Sequence, residues 1–214
     1  MHLDVSITAD GVAVLLPDHP MMVGCTGGDD LPTAAHTVDA LEAAWICGAE
    51  PDPDFPNSTL APAPPARLDA LIPALRTASA NTRLVLQLHP ARPDAAWGPA
   101  VLDALLDADL PCPIVLSSAS AEVLAAARAH AAGAGRDVTT WLDTGPSGSE
   151  QDWDERADRA NVDGLVVPWD DTWPARSARA TTEIVVRSSD APNVNALLDN
   201  WPVTAVLTAW PGRD

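Results

Sequence analysis

The chain has 214 residues, of which 47% are hydrophobic, enough for one domain with a large buried core. It carries 30 acidic and 12 basic residues, so its formal net charge is −18 at pH 7. Because this charge repels phosphate backbones and anionic lipid surfaces, nucleic acid and membranes are excluded as expected partners. The excess acid is interpreted as a solvated surface that keeps the protein soluble, with an acidic cleft for a cation as the alternative.

The start of the chain and its cysteines predict a cytoplasmic protein without membrane insertion. Residues 1–5 lack the basic and apolar runs of a signal peptide, and no apolar run reaches the ~18 residues that a membrane span needs. Cys25, Cys47 and Cys112 show no metal-binding spacing and are interpreted as small hydrophobic thiols. A disulfide between Cys25 and Cys47 stays open as an alternative, with nothing in the sequence to support it.

Short runs rich in Val, Ile and Leu recur along the chain and predict β-strands. The first two are joined by the turn at residues 9–11, which favours a hairpin. Most of the others lack clean alternation, as is typical of strands buried on both faces of a parallel sheet. The predicted strands cover residues 2–8, 11–16, 83–89, 113–118, 138–142, 162–168, 182–188 and 203–208.

Helical patterns lie between most of these strands, so the order predicts βα units. The predicted helices cover residues 37–45, 67–78, 95–108, 121–132 and 193–198. Two irregular loops are predicted, over residues 51–65 and 144–152, and neither interrupts the alternation enough to divide the chain. The fold class is therefore α/β, a (β/α) TIM-type barrel formed by residues 1–214 as one domain. About seven strands are expected, because a complete barrel typically needs about 250 residues.

A resemblance to a known family rests on the opening residues and on a series of later matches. Residues 3–14 read Leu-Asp-Val-Ser-Ile-Thr-Ala-Asp-Gly-Val-Ala-Val. They resemble the start of a glycerophosphodiester phosphodiesterase domain, where a Glu-x-Asp-Val strand leads to Thr-x-Asp-Gly. Further matches follow in order at residues 26–28, 83–89, 114–118, 162–166 and 203–211. The resemblance implies a phospholipase-C-like barrel and hydrolysis of phosphodiesters from lipid metabolism.

The positions that would hold the family's divalent cation are altered. The metal-binding Glu-x-Asp corresponds to His2-Leu3-Asp4, and the next metal-binding glutamate corresponds to Gln87. Asp4 is thus the carboxylate that remains, and Mg²⁺ or Ca²⁺ is expected only if the chain is active. His2 and Asp4 point to one face of a strand, and with Gln87 they form an alternative set that suits a transition metal better than magnesium.

The catalytic positions are also altered. The strand that carries the family's His-Arg-Gly motif has no counterpart, and the second catalytic histidine is replaced by Pro17 before Asp18. The reaction needs one group to take a proton and another to give one. His19 and His89, the latter at the lysine position of the family's Glu-x-Lys, are the candidates to replace these groups. The alternative for His19 is a solvated loop residue.

Four residues near predicted strand ends are candidates to bind substrate, because the active site of a barrel lies at the ends of its strands. They are Asp18, Gln87, Ser118 and Trp169. The expected ligand is a small phosphodiester or a polyol.

The leading hypothesis is a glycerophosphodiester phosphodiesterase relative whose activity is absent or very weak. Two alternatives remain: an active metal-dependent phosphodiesterase with a rearranged site, and a non-catalytic binding or interaction protein. Because an incomplete barrel has open strand edges, the last alternative includes a homodimer. A reading frame that begins upstream of Met1 and supplies the missing strand is also left open.

Overall fold

The computed structural model describes residues 1–17, 25–49, 61–89, 94–145, 157–168, 183–187 and 205–207, and one eight-stranded sheet organises them. The strands of this sheet are β1 His2–Ile7, β2 Ala13–Val14, β5 Leu84–Leu88, β6 Ile114–Ser118, β7 Thr139–Asp143, β8 Gly164–Pro168, β9 Glu183–Arg187 and β10 Ala205–Leu207. Their order in the sheet is β10-β9-β8-β7-β6-β5-β1-β2. A separate two-stranded sheet pairs β3 Thr26–Gly27 with β4 Trp45–Ile46.

In the described ranges, four complete α-helices connect or flank these strands, together with two 3-10 turns and the helical residues 157–160. The helices are α1 Val38–Ala44, α2 Ile72–Leu75, α3 Trp97–Leu106 and α4 Ala121–Gly133, and the 3-10 turns are Thr33–Ala35 and Asp69–Leu71. Within the described residues, no helix is both long and apolar enough to cross a membrane.

The predicted α/β architecture is confirmed. Seven strands of the large sheet run parallel, and β2 forms the predicted antiparallel hairpin with β1. Two helix predictions were wrong in extent. The first helix ends before Trp45, which belongs to β4. Residues 67–78 form only a 3-10 turn and the four-residue helix α2, which has a proline in its first turn. The predicted helix 193–198 and most of the loops 51–65 and 144–152 lie outside the described residues. The single domain of residues 1–214 stays a prediction.

One face of the sheet packs against the helices. Leu86, Leu116 and Leu142 lie on this face and belong to the main hydrophobic core, which also includes buried residues of α3 and α4. The two helices approach closely at Gly98, where a Cβ would lie 2.6 Å from the Cβ of Ala127. A glycine is therefore required at position 98 for α3 to reach this position on α4.

The opposite face is concave and encloses a second core of five buried residues, Val85, Val115, Trp141, Val166 and Val185. Arg83, just before β5, forms an ion pair of 3.0 Å with Glu183 of β9. These strands are four positions apart in the sheet, which is roughly 19 Å if the sheet were flat. The contact therefore requires a strongly curved sheet, as in a barrel wall.

The barrel does not close in the part of the chain that the structure describes. Strand β10 pairs with β9, and β1 pairs with β5 and β2, but no pairing joins β10 to β1. The expectation of an incomplete barrel with about seven parallel strands is thus confirmed.

The segment between β2 and α1 is held by a small core and a disulfide between Cys25 and Cys47. The interpretation of these two residues as thiols was wrong, since only Cys112 is a free, buried cysteine. Trp45 is buried in this core and packs directly on Gly28, whose φ of +62° and lack of side-chain space both require glycine. The sequence could not select the pair, because three cysteines allow three pairings and this segment lies outside the βα pattern.

Reduction of the disulfide should destabilise the protein without unfolding the main sheet. The bridge joins residues 22 positions apart, and a loop of that size corresponds to about 3 kcal/mol of stabilisation. We therefore expect Cys25→Ser/Cys47→Ser to unfold about 6–12 °C below the parent protein in a thermal melt. The Cys112→Ala variant should keep the sensitivity to reductant of the parent protein. Titration of three free thiols in the unreduced native protein would contradict the pairing.

Candidate functional site

Polar side chains gather towards the carboxyl ends of the strands, on the concave face of the sheet. The register pairs Asp4 with Gln87, Gln87 with Ser117 and Ser117 with Trp141. Residues paired in adjacent parallel strands point to the same side of the sheet, so this row shares its face with the inner core. Asp143, two positions after Trp141 on β7, lies on the same face.

Asp4 and His89 form the more exposed pair of this site. The Nε2 atom of His89 lies 2.6 Å from Oδ1 of Asp4, and the two side chains are 32% and 37% exposed. The backbone N–H of His89 donates to the carbonyl of Val5, which fixes the residue just after the end of β5. A carboxylate that orients an imidazole leaves the other ring nitrogen, Nδ1, for proton exchange with a ligand.

Gln87 and Asp143 form a buried pair. The Nε2 amide of Gln87 donates to Oδ2 of Asp143 at 3.1 Å, and the residues are only 2% and 7% exposed. The backbone N–H of Gly145 donates to the other carboxylate oxygen at 3.0 Å. Since a buried carboxylate is costly without donors, these two hydrogen bonds explain how Asp143 is accommodated inside the sheet.

Two buried hydroxyl groups complete the lining of the concave face. Ser6 and Ser117 are fully buried, and within the described structure neither Oγ has a hydrogen-bond partner. Ser6 follows Asp4 by two positions on β1, and Ser117 pairs with Gln87 in the register. These two hydroxyl groups make the interior polar at the carboxyl end of the sheet.

Comparison with solved structures shows a shared fold. A protein from Silicibacter pomeroyi described as a glycerophosphoryl diester phosphodiesterase superposes with a TM-score of 0.79 at 20% identity, over 99% of this chain and 80% of that chain. An Oleispira antarctica phosphodiesterase, solved in complex with the product sn-glycerol-3-phosphate, gives 0.71 at 16% identity, over 98% and 81%. A glycerophosphodiester phosphodiesterase structure from Galdieria sulphuraria gives 0.71 at 14% identity, also over 98% and 81%.

These structures share the fold of this chain. The expected similarity to glycerophosphodiester phosphodiesterases is therefore confirmed at the level of the fold. No family model and no curated protein matches the sequence. Activity has to be argued from the site, because one fold hosts many functions.

The structure brings some of the predicted site residues together and separates others. Asp4, Gln87 and His89 meet on the concave face, whereas His2 is exposed at the opposite end of β1. Ser118 is paired with Leu88 on the helix-packed face, where its Oγ accepts from the backbone N–H of Ser120. Asp18, His19 and Trp169 lie outside the described residues, so their roles stay predictions.

The described residues of the concave face do not fit a hard divalent cation. Among the described side chains, no group of three or more His, Cys, Asp or Glu residues is arranged to hold a metal. Asp4 binds His89, and the Gln87 amide directs an N–H group rather than an oxygen at Asp143. Magnesium and calcium require several oxygen ligands, which this arrangement does not provide.

Sequence reasoning missed Asp143. The apolar run predicted a strand that ended at residue 142, whereas β7 extends by one residue. Alternation from Trp141 would have placed Asp143 on the same face of the strand, but the sequence alone does not show which face is concave. The pairing with Gln87 joins two strands that are not neighbours in the sheet, and no local pattern predicts it.

Gln87→Glu should create a cation site that the parent protein lacks. The substitution places a second carboxylate about 3 Å from Asp143, and the two charges repel unless a cation or a shared proton separates them. We expect the variant to melt at a lower temperature than the parent in a chelator, and to recover part of the difference when Ca²⁺ or Mg²⁺ is added. Gln87→Met, which adds no oxygen, is the matched control and should not respond. Equal responses of the parent and the Gln87→Glu variant to Ca²⁺ would show that the parent already binds the ion.

Proposed function

We propose that this protein binds a small phosphodiester or polyol ligand at the carboxyl end of the sheet and hydrolyses it very slowly or not at all. The observation that carries the proposal is that two carboxylates near the carboxyl ends of the strands, on the concave face, are paired with side chains of the protein itself. Asp4 is paired with His89, and Asp143 is paired with Gln87. Among the described residues, neither carboxylate belongs to a group of three or more His, Cys, Asp or Glu side chains that could hold a metal.

Each pair supports a different part of ligand binding. The half-exposed imidazole of His89 offers a ring nitrogen that can donate to an oxygen of the ligand, with Asp4 holding the ring in place. The buried Gln87–Asp143 pair stabilises the wall beneath it, because breaking it would remove one of the hydrogen bonds donated to a buried carboxylate. The ligand class is supported by the Oleispira antarctica structure of the same fold, which holds sn-glycerol-3-phosphate.

A second candidate function is favoured by the Asp4–His89 geometry. A carboxylate at 2.6 Å from an imidazole is also the arrangement that activates a general acid or base. An active phosphodiesterase with a rearranged site would use His89 to move a proton, and it would lose its activity in the His89→Ala and Asp4→Ala variants.

Turnover and binding assays separate the two candidates. We expect no hydrolysis of glycerophosphocholine or of bis(4-nitrophenyl) phosphate above the chelator control with Mg²⁺, Ca²⁺, Mn²⁺ or Zn²⁺. In calorimetry, glycerol-3-phosphate or glycerol should bind to the parent protein and more weakly to His89→Ala, since the substitution removes the ring donor. His130→Ala is the control, because His130 lies on α4 away from the sheet's concave face. Metal-dependent turnover that disappears in Asp4→Ala would establish the active alternative.

A third candidate is an interaction protein that pairs through its open sheet edges. It is favoured by the lack of pairing between β10 and β1 in the described residues. Light scattering of the purified protein measures the assembly directly. A dimer whose mass falls to that of the monomer on dilution would support this candidate, and a monomer at all concentrations would count against it.

A cytoplasmic location also remains a proposal, and the Cys25–Cys47 disulfide weighs against it, since stable disulfides are typical of oxidising compartments.

A further inference from the structure

A cavity of about 430 Å³ lies beside the amino end of α3, and we call it the α3 cavity. It is formed where the end of β1, the 3-10 turn Thr33–Ala35 and the start of α3 meet. The lining residues are Ile7, Thr8, Ala9, Pro32, Ala34, Ala35, Asp94 and Trp97.

The α3 cavity is distinct from the site on the concave face. Ile7 and Trp97 both belong to the main core between the sheet and the helices. Asp4 and His89, in contrast, lie on the opposite face of the sheet. The α3 cavity is therefore lined by residues other than those of the site proposed above.

The lining combines an aliphatic wall, an indole ring and one carboxylate. Most of Trp97 is buried, and the wall is otherwise made of small or aliphatic side chains such as Ile7, Pro32 and Ala34. Asp94 is exposed, and its Oδ1 accepts from the backbone N–H of Ala96 at 2.9 Å. Among the described residues, no arginine or histidine forms an ion pair with Asp94. Its negative charge is thus available to a ligand.

The charge around the α3 cavity determines which class of ligand it can bind. The lining residues named above include no basic side chain, so the net charge of −18 on the chain favours a cation in this cavity. A second carboxylate, Asp10, lies close to the cavity because its Oδ1 accepts from the hydroxyl of Thr8 at 2.6 Å. That hydrogen bond lowers the pKa of Asp10, with the N–H of Val38 and the positive charge of Arg67 acting in the same direction. A metal ion needs more ligands than this lining offers, whereas an alkylated ammonium needs apolar walls, an aromatic ring and one negative charge.

We propose that the α3 cavity binds a small organic cation, of the methylated ammonium type, between the indole ring of Trp97 and the carboxylate of Asp94. The aliphatic wall accommodates the methyl groups, and the carboxylate neutralises the charge. The interaction is non-covalent, and the volume of about 430 Å³ exceeds that of a small ammonium ion.

Tetramethylammonium chloride is the probe, and tert-butyl alcohol is the uncharged compound of nearly the same size. Titrations of the full chain, followed by the indole N–H signals in two-dimensional NMR, should shift the signal of Trp97 with tetramethylammonium and much less with the alcohol. The signal is assigned by its loss in Trp97→Phe. Sodium chloride at the same ionic strength controls for screening.

Two matched variants test the carboxylate. Asp94→Asn keeps an oxygen that can accept from Ala96 but removes the charge, whereas Asp107→Asn removes the same charge at the exposed carboxyl end of α3. We expect Asp94→Asn to weaken tetramethylammonium binding about two- to fivefold, since Asp94 is exposed, and Asp107→Asn to leave it unchanged. Three results would each overturn the proposal: equal affinity for the cation and the alcohol, equal losses of affinity in both variants, or no shift of the Trp97 signal. Glycerol-3-phosphate binding should be the same in the parent and in Asp94→Asn, which separates this result from the test of the concave-face site.

Discussion

The packing of Trp141 inside the curved sheet is the constraint on which the concave face depends. Its ring is buried among four valines, and its Nε1 donates to Oε2 of Glu183 at 2.8 Å. Glu183 in turn pairs with Arg83, so one hydrogen bond and one ion pair connect β7, β9 and the start of β5. Gly164 faces the ring, and a Cβ there would lie 2.7 Å from Cδ1 of Trp141. The sheet can curve this tightly around an indole only because the neighbouring strand has no side chain at that position.

The curvature determines what lies above Trp141. Asp143 follows it by two positions and therefore enters the interior, where water is excluded. A carboxylate at 7% exposure needs donors, and it receives them from Gln87 and from the backbone N–H of Gly145. Asp4 lies nearer the solvent, where an imidazole partner is sufficient. The concave face thus changes from apolar to buried polar to half-exposed along the strands.

The sequence predicted the parts of this fold that depend on local pattern. Apolar runs located the strands to within a few residues, because strands buried on both faces are continuous in Val, Ile and Leu. The sequence did not predict whether Ser117 or Ser118 faces the interior, since a shift of one residue in the register exchanges the two faces. It also could not predict that Gln87 meets Asp143 or that Cys25 meets Cys47. Those contacts depend on sheet curvature and on the path of the chain between β2 and α1, and neither leaves a periodic signal.

Gln87, where the sequence resemblance predicts a glutamate, and Asp143 are matched to each other. Glutamine has nearly the shape of glutamate, so it occupies the same space on β5 while removing a charge and supplying an N–H group. With a glutamate at this position, Asp143 would face a second carboxylate at hydrogen-bond distance and would require a cation or a proton between them. With a glutamine, the same space holds a complete hydrogen bond and needs no ion. The loss of an expected metal ligand is therefore part of a consistent alternative arrangement, in which the protein's own side chains satisfy the carboxylates of the concave face.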